Sequence, residues 1–167
     1  GPTREIEALA GPGTRRLDLR GRLAMPAFHD AHMHLTMLGH AAKNIDLRPD
    51  AVGSIAAMAA AVAERARITA PGGWIVGSGY DHDRLSDKRH PTRWDLDKAA
   101  PDRPVWLRRC CGHMAVANSL ALKLAGIDRA TPNPPGGVIV RENGEPTGLL
   151  QERAMEALRA VMPDPTT

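Results

Sequence analysis

Metal-ligating side chains recur at every second position of the segment Phe28-His29-Asp30-Ala31-His32-Met33-His34. In a β-strand, residues two apart point to the same face, so Asp30, His32 and His34 would share one side. Zn²⁺ accepts neutral imidazole nitrogens, and a bound zinc ion lowers the pKa of its water to about 7. The spacing therefore predicts that His32 and His34 hold a divalent metal. Surface or capping histidines are the alternative, and a catalytic zinc needs a third protein ligand from elsewhere.

Short apolar runs separated by turns predict the strands that would position this cluster. The alternating run Arg16–Arg20 and the apolar run Leu23–Phe28 lead into the histidines. Further strands are predicted at Trp74–Val76 and Val105–Leu107. The dipeptide Asn143-Gly144 lies between two more apolar runs and predicts a β-hairpin.

Three helices are predicted between or after these strands. Ser54 can cap a helix that runs to about Thr69. A second helix is expected over Ala115–Ala125, closed by Gly126, and a third over Leu150–Val161. Strands that alternate with helices favour an α/β fold.

Composition excludes several classes of protein. The 167 residues are 43% hydrophobic with 22 basic and 19 acidic side chains, which is the balance of a globular domain rather than of a disordered chain. No apolar stretch is long enough to span a membrane. The basic residues are scattered and only 3% of residues are aromatic, whereas a nucleic-acid-binding protein would cluster its positive charge and supply aromatic side chains for stacking. The net charge of +3 is the only feature in favour of that class. A cytoplasmic protein is expected.

The histidine cluster and its surroundings resemble the entry to the barrel of the amidohydrolase superfamily. The downstream sequence is similar to the branch called YtcJ-like, or amidohydrolase family 3. The matching segments, which follow the family order along nearly the whole chain, are Asp18–Arg22, Met25–Leu35, Trp74–Asp81, Leu96-Asp97, Ala100–Val105, Gly112-His113, Asn118-Ser119, Ala121-Leu122, Gly126-Ile127, Pro134–Gly137 and Gly144–Ala154. The sequence departs from the pattern at Ala27, where glycine is usual, and at His29, where an aliphatic residue is common. Neither departure removes a ligand.

This resemblance implies a (β/α)₈ TIM-barrel hydrolase that uses one or two divalent metal ions, with zinc expected, to cleave amide or related C–N bonds of a small molecule. In such enzymes the first two histidines bind metal, a role that carries over onto His32 and His34. The catalytic aspartate and the metal-binding lysine of the family come from later strands, which are not recognisable in this sequence.

Two further residues become candidates for substrate binding through the same resemblance. His113 matches a family position on a segment expected to face the mouth of the active site. Asp81, followed by His82, comes after a strand-like run where loop residues would line the top of a barrel. A histidine that closes a turn before a helix is the alternative for His113. Glu152 matches a recurrent family glutamate, for which a carboxylate in the first turn of a helix is the expected role.

The adjacent cysteines Cys110-Cys111 invite comparison with catalytic cysteines and zinc-binding motifs. There is no second cysteine pair and no recognisable orienting partner, so core or strand-end cysteines are expected. Neighbouring cysteines are also no framework for a disulfide-stapled secreted fold, which favours a reducing compartment.

Chain length governs the functional expectation, because a complete (β/α)₈ barrel needs about 250 residues. We therefore expect residues 1–22 to be the remnant of an N-terminal β segment, and residues 23–167 to be the first strands and helices of a partial barrel with an inserted β-hairpin region. A longer parent protein would be the hydrolase, and this piece alone would do little chemistry. The alternative is an inert interaction module of the same fold. A second copy or a companion chain could complete the barrel, and unpaired strands near residues 22–29, 74–78 and 104–108 would favour self-association.

Overall fold

The computed structural model describes residues 3–30, 32, 39 and 41–163. The chain divides into two compact units, Gly1–Met33 and His34–Thr167. Among its described residues, 3–30 and 32, the first unit has one short helix, α1 (Thr3–Glu7), followed by turns and irregular segments without strands. The second unit contains a six-stranded sheet with helices on both faces.

The strands predicted at Arg16–Arg20 and Leu23–Phe28 are wrong. A turn at Arg20, whose φ is 52°, interrupts the first run, and the Asp18 carboxylate accepts the Arg20 backbone N–H at 2.8 Å. In the second run the apolar side chains of Leu23, Met25 and Phe28 are 88%, 59% and 90% exposed, so burial does not stabilise this run as a strand. Extended segments form strands only when a neighbour pairs with their backbone, and no described residue of the first unit does so.

The sheet of the second unit has the strand order β1-β2-β3-β4-β6-β5. Its strands are β1 (Ile45–Asp46), β2 (Ile75–Tyr80), β3 (Val105–Arg109), β4 (Met114–Ala117), β5 (Gly137–Glu142) and β6 (Glu145–Glu152). The first three are parallel, whereas β4 is antiparallel to both β3 and β6, and β5 is antiparallel to β6. Strands β1, β2, β3 and β6 therefore all end at one edge of the sheet, which we call the carboxyl edge.

The helices connect and cover these strands. They are α2 (Ile55–Ile68), α3 (Arg93–Ala99), α4 (Ser119–Leu124), a 3₁₀ turn (Arg153–Met155) and α5 (Glu156–Arg159). Helix α2 confirms its prediction: the Ser54 hydroxyl accepts the Ala57 N–H, and Met58 and Val62 are buried. One core cluster lies under α2 and α3, and a second lies under α4 and α5 on the opposite face of the sheet.

The predicted helices at 115–125 and 150–161 begin too early. Residues Met114–Ala117 form β4, because both β3 and β6 pair with this segment, and α4 starts only after Asn118 caps it. Gly126 follows the end of α4 with a φ of 67°, as predicted. Strand β6 likewise extends to Glu152, so the second region contains only the 3₁₀ turn and the short α5 among its described residues.

The predicted hairpin is confirmed, and the prediction of unpaired strands is wrong. Asn143 and Gly144 both have positive φ, which matches the twist of the flanking strands β5 and β6. Strand β2 pairs with β1 and β3, and β3 pairs with β2 and β4, so the segments near 74–78 and 104–108 have neighbours on both sides. The outer strands of the sheet are β1 and β5. No helix of the described residues is both long and apolar enough to cross a membrane.

Candidate active-site edge

Several side chains able to do chemistry follow the carboxyl ends of the parallel strands. Asp81, His82 and Asp83 follow β2, Arg109 ends β3, and Glu152 ends β6. The turn after β3 carries Cys110, Cys111 and His113. Because β2, β3 and β6 run in the same direction, the topology gathers these residues at one edge. The carboxyl edge of parallel strands is also where α/β enzymes build their active sites.

Arg109 is the centre of the larger cluster. Its Nη2 lies 2.8 Å from Asp81 Oδ1 and 3.1 Å from Asp83 Oδ2, and its Nε donates to His82 Nδ1 at 3.1 Å. The side chains of Arg109 and Asp81 are only 16% and 22% exposed, which strengthens the ion pair relative to one in open solvent. Nδ1 of His82 is the acceptor of the hydrogen bond from Arg109, and the other ring nitrogen, Nε2, lies 3.5 Å from Asp83 Oδ1.

The ligand atoms of Asp81, His82 and Asp83 all lie within 4.8 Å of one another, which is compact enough to hold a metal ion. However, the Arg109 guanidinium contacts all three side chains. A divalent cation there would have to displace a positive charge that already satisfies the carboxylates. The donor set of this cluster therefore suits an internal ion pair rather than a metal.

His90 and Tyr80 pack against the Arg109 cluster through His82. The rings of His82 and His90 are stacked with centroids 3.7 Å apart, and His90 Nδ1 lies 3.2 Å from the Tyr80 hydroxyl. Burial, together with the neighbouring His82 and Arg109, lowers the pKa of His90 to about 4. Burial also raises the pKa of the Tyr80 hydroxyl. Both groups are neutral near pH 7, so they can lie beside Arg109 without repelling it.

His113 and Glu152 form the second cluster. His113 Nδ1 lies 3.1 Å from Glu152 Oε2, and the Glu152 backbone N–H donates to the His113 carbonyl at 2.9 Å. The hydrogen bond and the charge of Glu152 raise the pKa of His113. Both side chains are more than half exposed, at 67% and 57%. Glu152 ends β6 and is the residue immediately before the 3₁₀ turn, where its side chain makes no capping hydrogen bond. It therefore adjoins the first turn of a helix, as a residue before that turn and not within it.

Cys111 lies between the two clusters as an exposed free thiol. Its Sγ accepts the His113 backbone N–H at 3.4 Å. Partial burial alone would raise the pKa of this thiol, but the Arg109 guanidinium and the His113 N–H hold it below its ordinary value. Cys110 is also free and exposed, as a strand-end cysteine would be.

The predicted substrate-binding residues Asp81 and His113 thus lie at the same edge with different partners. Asp81 pairs with Arg109, and His113 pairs with Glu152. Sequence reasoning missed Arg109, although its position immediately after the buried run Val105–Leu107 marks it as the end of a strand.

Of the two predicted metal ligands, His32 belongs to the first unit and is among the described residues. His32 donates its backbone N–H to Asp30 Oδ1 at 3.0 Å, which is a local turn and not the expected strand. His34 lies outside the described residues. The assignment of His32 and His34 as metal ligands stays a prediction.

Comparison with known proteins decides the family. A family model described as "Amidohydrolase family" matches residues 15–167. The chain belongs to the amidohydrolase family. It is 40% identical over 158 residues to YtcJ of Bacillus subtilis (strain 168), an amidohydrolase by name, and this match covers 94% of the chain. It is 34% identical over 161 residues, 96% of the chain, to an N-substituted formamide deformylase of Arthrobacter pascens.

A solved structure extends the comparison to three dimensions. The crystal structure of an uncharacterized metal-dependent hydrolase from Pyrococcus horikoshii OT3 matches 98% of this chain with a TM-score of 0.59 and 32% identity, over 29% of its own length. The present chain likewise spans 30% of the length of the Bacillus and Arthrobacter relatives. The similarity therefore concerns one part of these longer proteins.

Proposed function

We propose that the full-length protein is a metal-dependent hydrolase that cleaves an amide or related C–N bond of a small molecule. The observation that carries this proposal is the gathering of Asp81, Arg109, His113 and Glu152 at the carboxyl edge of the mixed sheet in a member of the amidohydrolase family. The names of the Arthrobacter deformylase and of the Pyrococcus hydrolase support the same reaction class.

The fold proposed for the full-length protein is a (β/α)₈ barrel in which β1, β2 and β3 are consecutive strands. Helix α2 connects β1 to β2 and helix α3 connects β2 to β3, which is the repeating βαβ pattern of such barrels. Strands β4, β5 and β6 would then be the insertion that contains the hairpin. We retain the division into residues 1–22 and 23–167 as part of this proposal.

His32 and His34 are the proposed metal ligands, and zinc is the proposed ion. Their imidazole nitrogens suit zinc. The Asp30 carboxylate accepts the backbone N–H of His32 and so restrains the backbone at this ligand. A divalent metal bound there would supply an activated water for attack on a carbonyl carbon. The remaining ligands would come from parts of the full-length protein beyond this chain.

The chain's own residues at the carboxyl edge are proposed to bind and orient the substrate. Asp81 and Arg109 hold each other in a fixed geometry, so that the wall they form is already ordered before the substrate arrives. His113 offers an exposed ring nitrogen, Nε2, because its Nδ1 is engaged by Glu152. The two free cysteines fit the expected cytoplasmic location.

The test is hydrolysis by the full-length protein loaded with zinc. We expect cleavage within a panel of N-substituted formamides and N-acyl amines, and its loss in the variant His32→Asn/His34→Asn. The variant His29→Gln, which changes an exposed neighbouring histidine, should retain activity. A full-length protein that binds metal but hydrolyses none of the panel would favour the inert interaction module instead.

A further inference from the structure

We propose that Glu152 is a positioning residue that fixes the His113 imidazole, so that its Nε2 donates a hydrogen bond to an oxygen atom of the substrate's acyl group. This inference rests on the proposed function and adds a residue and a contact to it. Glu152 would act through His113, and His113 would touch the substrate.

The backbone of Glu152 provides the first argument. Its φ of 52° and ψ of −124° fall in a region that glycine adopts freely and that other residues adopt rarely. These angles match the first central position of a type II′ turn, where glycine is the usual residue. A carboxylate side chain at such a position carries a steric cost that a glycine would avoid. The side chain must therefore contribute something that glycine cannot.

The surrounding backbone fixes this conformation independently of the side chain. The Glu152 N–H donates to the His113 carbonyl at 2.9 Å, and the following Arg153 N–H donates to the Gly136 carbonyl at 3.3 Å. Gly137 packs so closely that a Cβ there would lie 2.3 Å from the Ala154 nitrogen. Since these contacts hold the turn, the contact that the Glu152 side chain itself adds is the 3.1 Å bond to His113 Nδ1.

The chemistry of the pair sets the role of the second ring nitrogen. A carboxylate only accepts hydrogen bonds, so Nδ1 of His113 must carry a proton. The negative charge of Glu152 then favours the protonated imidazolium, in which Nε2 also donates. The backbone of His113 is held as well, because its N–H donates to Cys111 Sγ. An exposed, oriented donor of this kind complements a carbonyl or carboxylate oxygen.

The experiment compares Glu152→Gln, Glu152→Asp and Glu152→Gly in the full-length, zinc-loaded protein. The matched control is Glu156→Gln, which removes an exposed carboxylate that contacts Arg153 and not His113. We expect Glu152→Gln to raise KM about three- to tenfold with little change in kcat, and Glu152→Asp to restore part of the loss. Glu152→Gly should raise the melting temperature while it impairs KM as Glu152→Gln does.

Nuclear magnetic resonance of histidine-labelled protein gives the second readout. Glu152→Gln should lower the pKa of His113, and Glu156→Gln should not. An unchanged His113 titration in Glu152→Gln, or an unchanged KM, would overturn the inference. If the wild-type protein hydrolyses nothing, the proposed function fails, and binding of an N-substituted formamide probe then tests the His113–Glu152 pair by the same resonances. The probe should shift the His113 signals in wild type and not in Glu152→Gln. The absence of a shift in wild type would also overturn the inference.

Discussion

The Arg109 guanidinium lies 2.8 Å from the Asp81 carboxylate and joins the ends of β3 and β2 at the carboxyl edge. The two residues are 28 positions apart in the sequence, so this contact exists only because β2 and β3 are neighbours in the sheet. Asp83 and His82 are further acceptors around the guanidinium. The pair gives the candidate site an ordered, charged surface.

Removing the charge of Asp81 should destabilise the folded chain. Asp81→Asn leaves a half-buried guanidinium without its main partner, and we expect a loss of about 1–2 kcal/mol in the free energy of unfolding. Urea denaturation measures this loss. Glu64→Gln is the control, because Glu64 and Arg67 form a largely exposed pair for which a change of about 0.5 kcal/mol or less is expected. Equal effects of the two substitutions would show that the Arg109 cluster has no special stability.

Asn118 should be the most costly polar side chain to remove. It is fully buried, and its Oδ1 accepts the N–H groups of Val105 and Ala121 while its Nδ2 donates to the carbonyls of Ala100 and Arg103. Asn118→Ala leaves these buried groups unpaired, so we expect a loss of about 3 kcal/mol or more.

Asn133→Ala is the matched control for Asn118, since exposed Asn133 also accepts a backbone N–H, that of Ile139. Its expected loss is about 1 kcal/mol. A loss in Asn118→Ala no larger than in Asn133→Ala, measured by denaturation, would contradict the role of Asn118 as a joint between β3 and α4.

Stability should fall in mild acid because of His90. The pKa of His90 is lowered from 6.5 to about 4 by burial, then by His82 and Arg109, against the opposing effect of Asp83 and Asp81. The unfolded chain therefore takes up this proton at a higher pH than the folded chain does. The contribution of His90 to the free energy of unfolding is fully present above pH 6.5 and is lost as the pH falls from about 6.5 to about 4.

Thermal melting across this pH range tests the role of His90. His90→Gln should flatten the part of the pH dependence that lies between those values, while His29→Gln, at an exposed histidine, should leave it as in wild type. An identical slope in His90→Gln and wild type would assign the acid sensitivity to other groups.

The isolated chain should self-associate. The reason differs from the one that the sequence indicates, because the four inner strands of the described sheet are paired on both sides and its two edge strands are β1 and β5. Exposed apolar side chains, including Val138 on β5, add to the tendency. Sedimentation analysis should detect species larger than one chain at micromolar concentration. A monodisperse monomer with a cooperative melt at high temperature would contradict this expectation.

Local signals made part of this fold predictable. Ser54 caps α2 through its own hydroxyl, and Asn143-Gly144 sets the hairpin through backbone angles that these two residues favour. Both features depend on residues close in the sequence. The segment Met114–Ala117 has helix-compatible residues but becomes a strand, because Trp106–Arg108 and Leu149–Gln151 pair with its backbone on either side. The second of these partners lies far away along the chain, so local sequence does not reveal it.

The candidate site was predictable only in outline. Asp81 and His113 could be named from the resemblance to a family, and they do lie at the carboxyl edge. Their partners Arg109 and Glu152 depend on the pairing of β2 with β3 and of β4 with β6, which spacing along the sequence does not reveal. The strained backbone of Glu152 is likewise a product of the turn after β6, and its sequence neighbours carry no sign of it.

The central claim is that the full-length protein holds a divalent metal through His32 and His34. Elemental analysis of metal per chain, on protein purified without a chelator, tests it most directly. We predict one or two tightly held ions in wild type and in His29→Gln, and their loss in His32→Asn/His34→Asn. Metal content that is the same in all three proteins, or absent from wild type, would contradict the account.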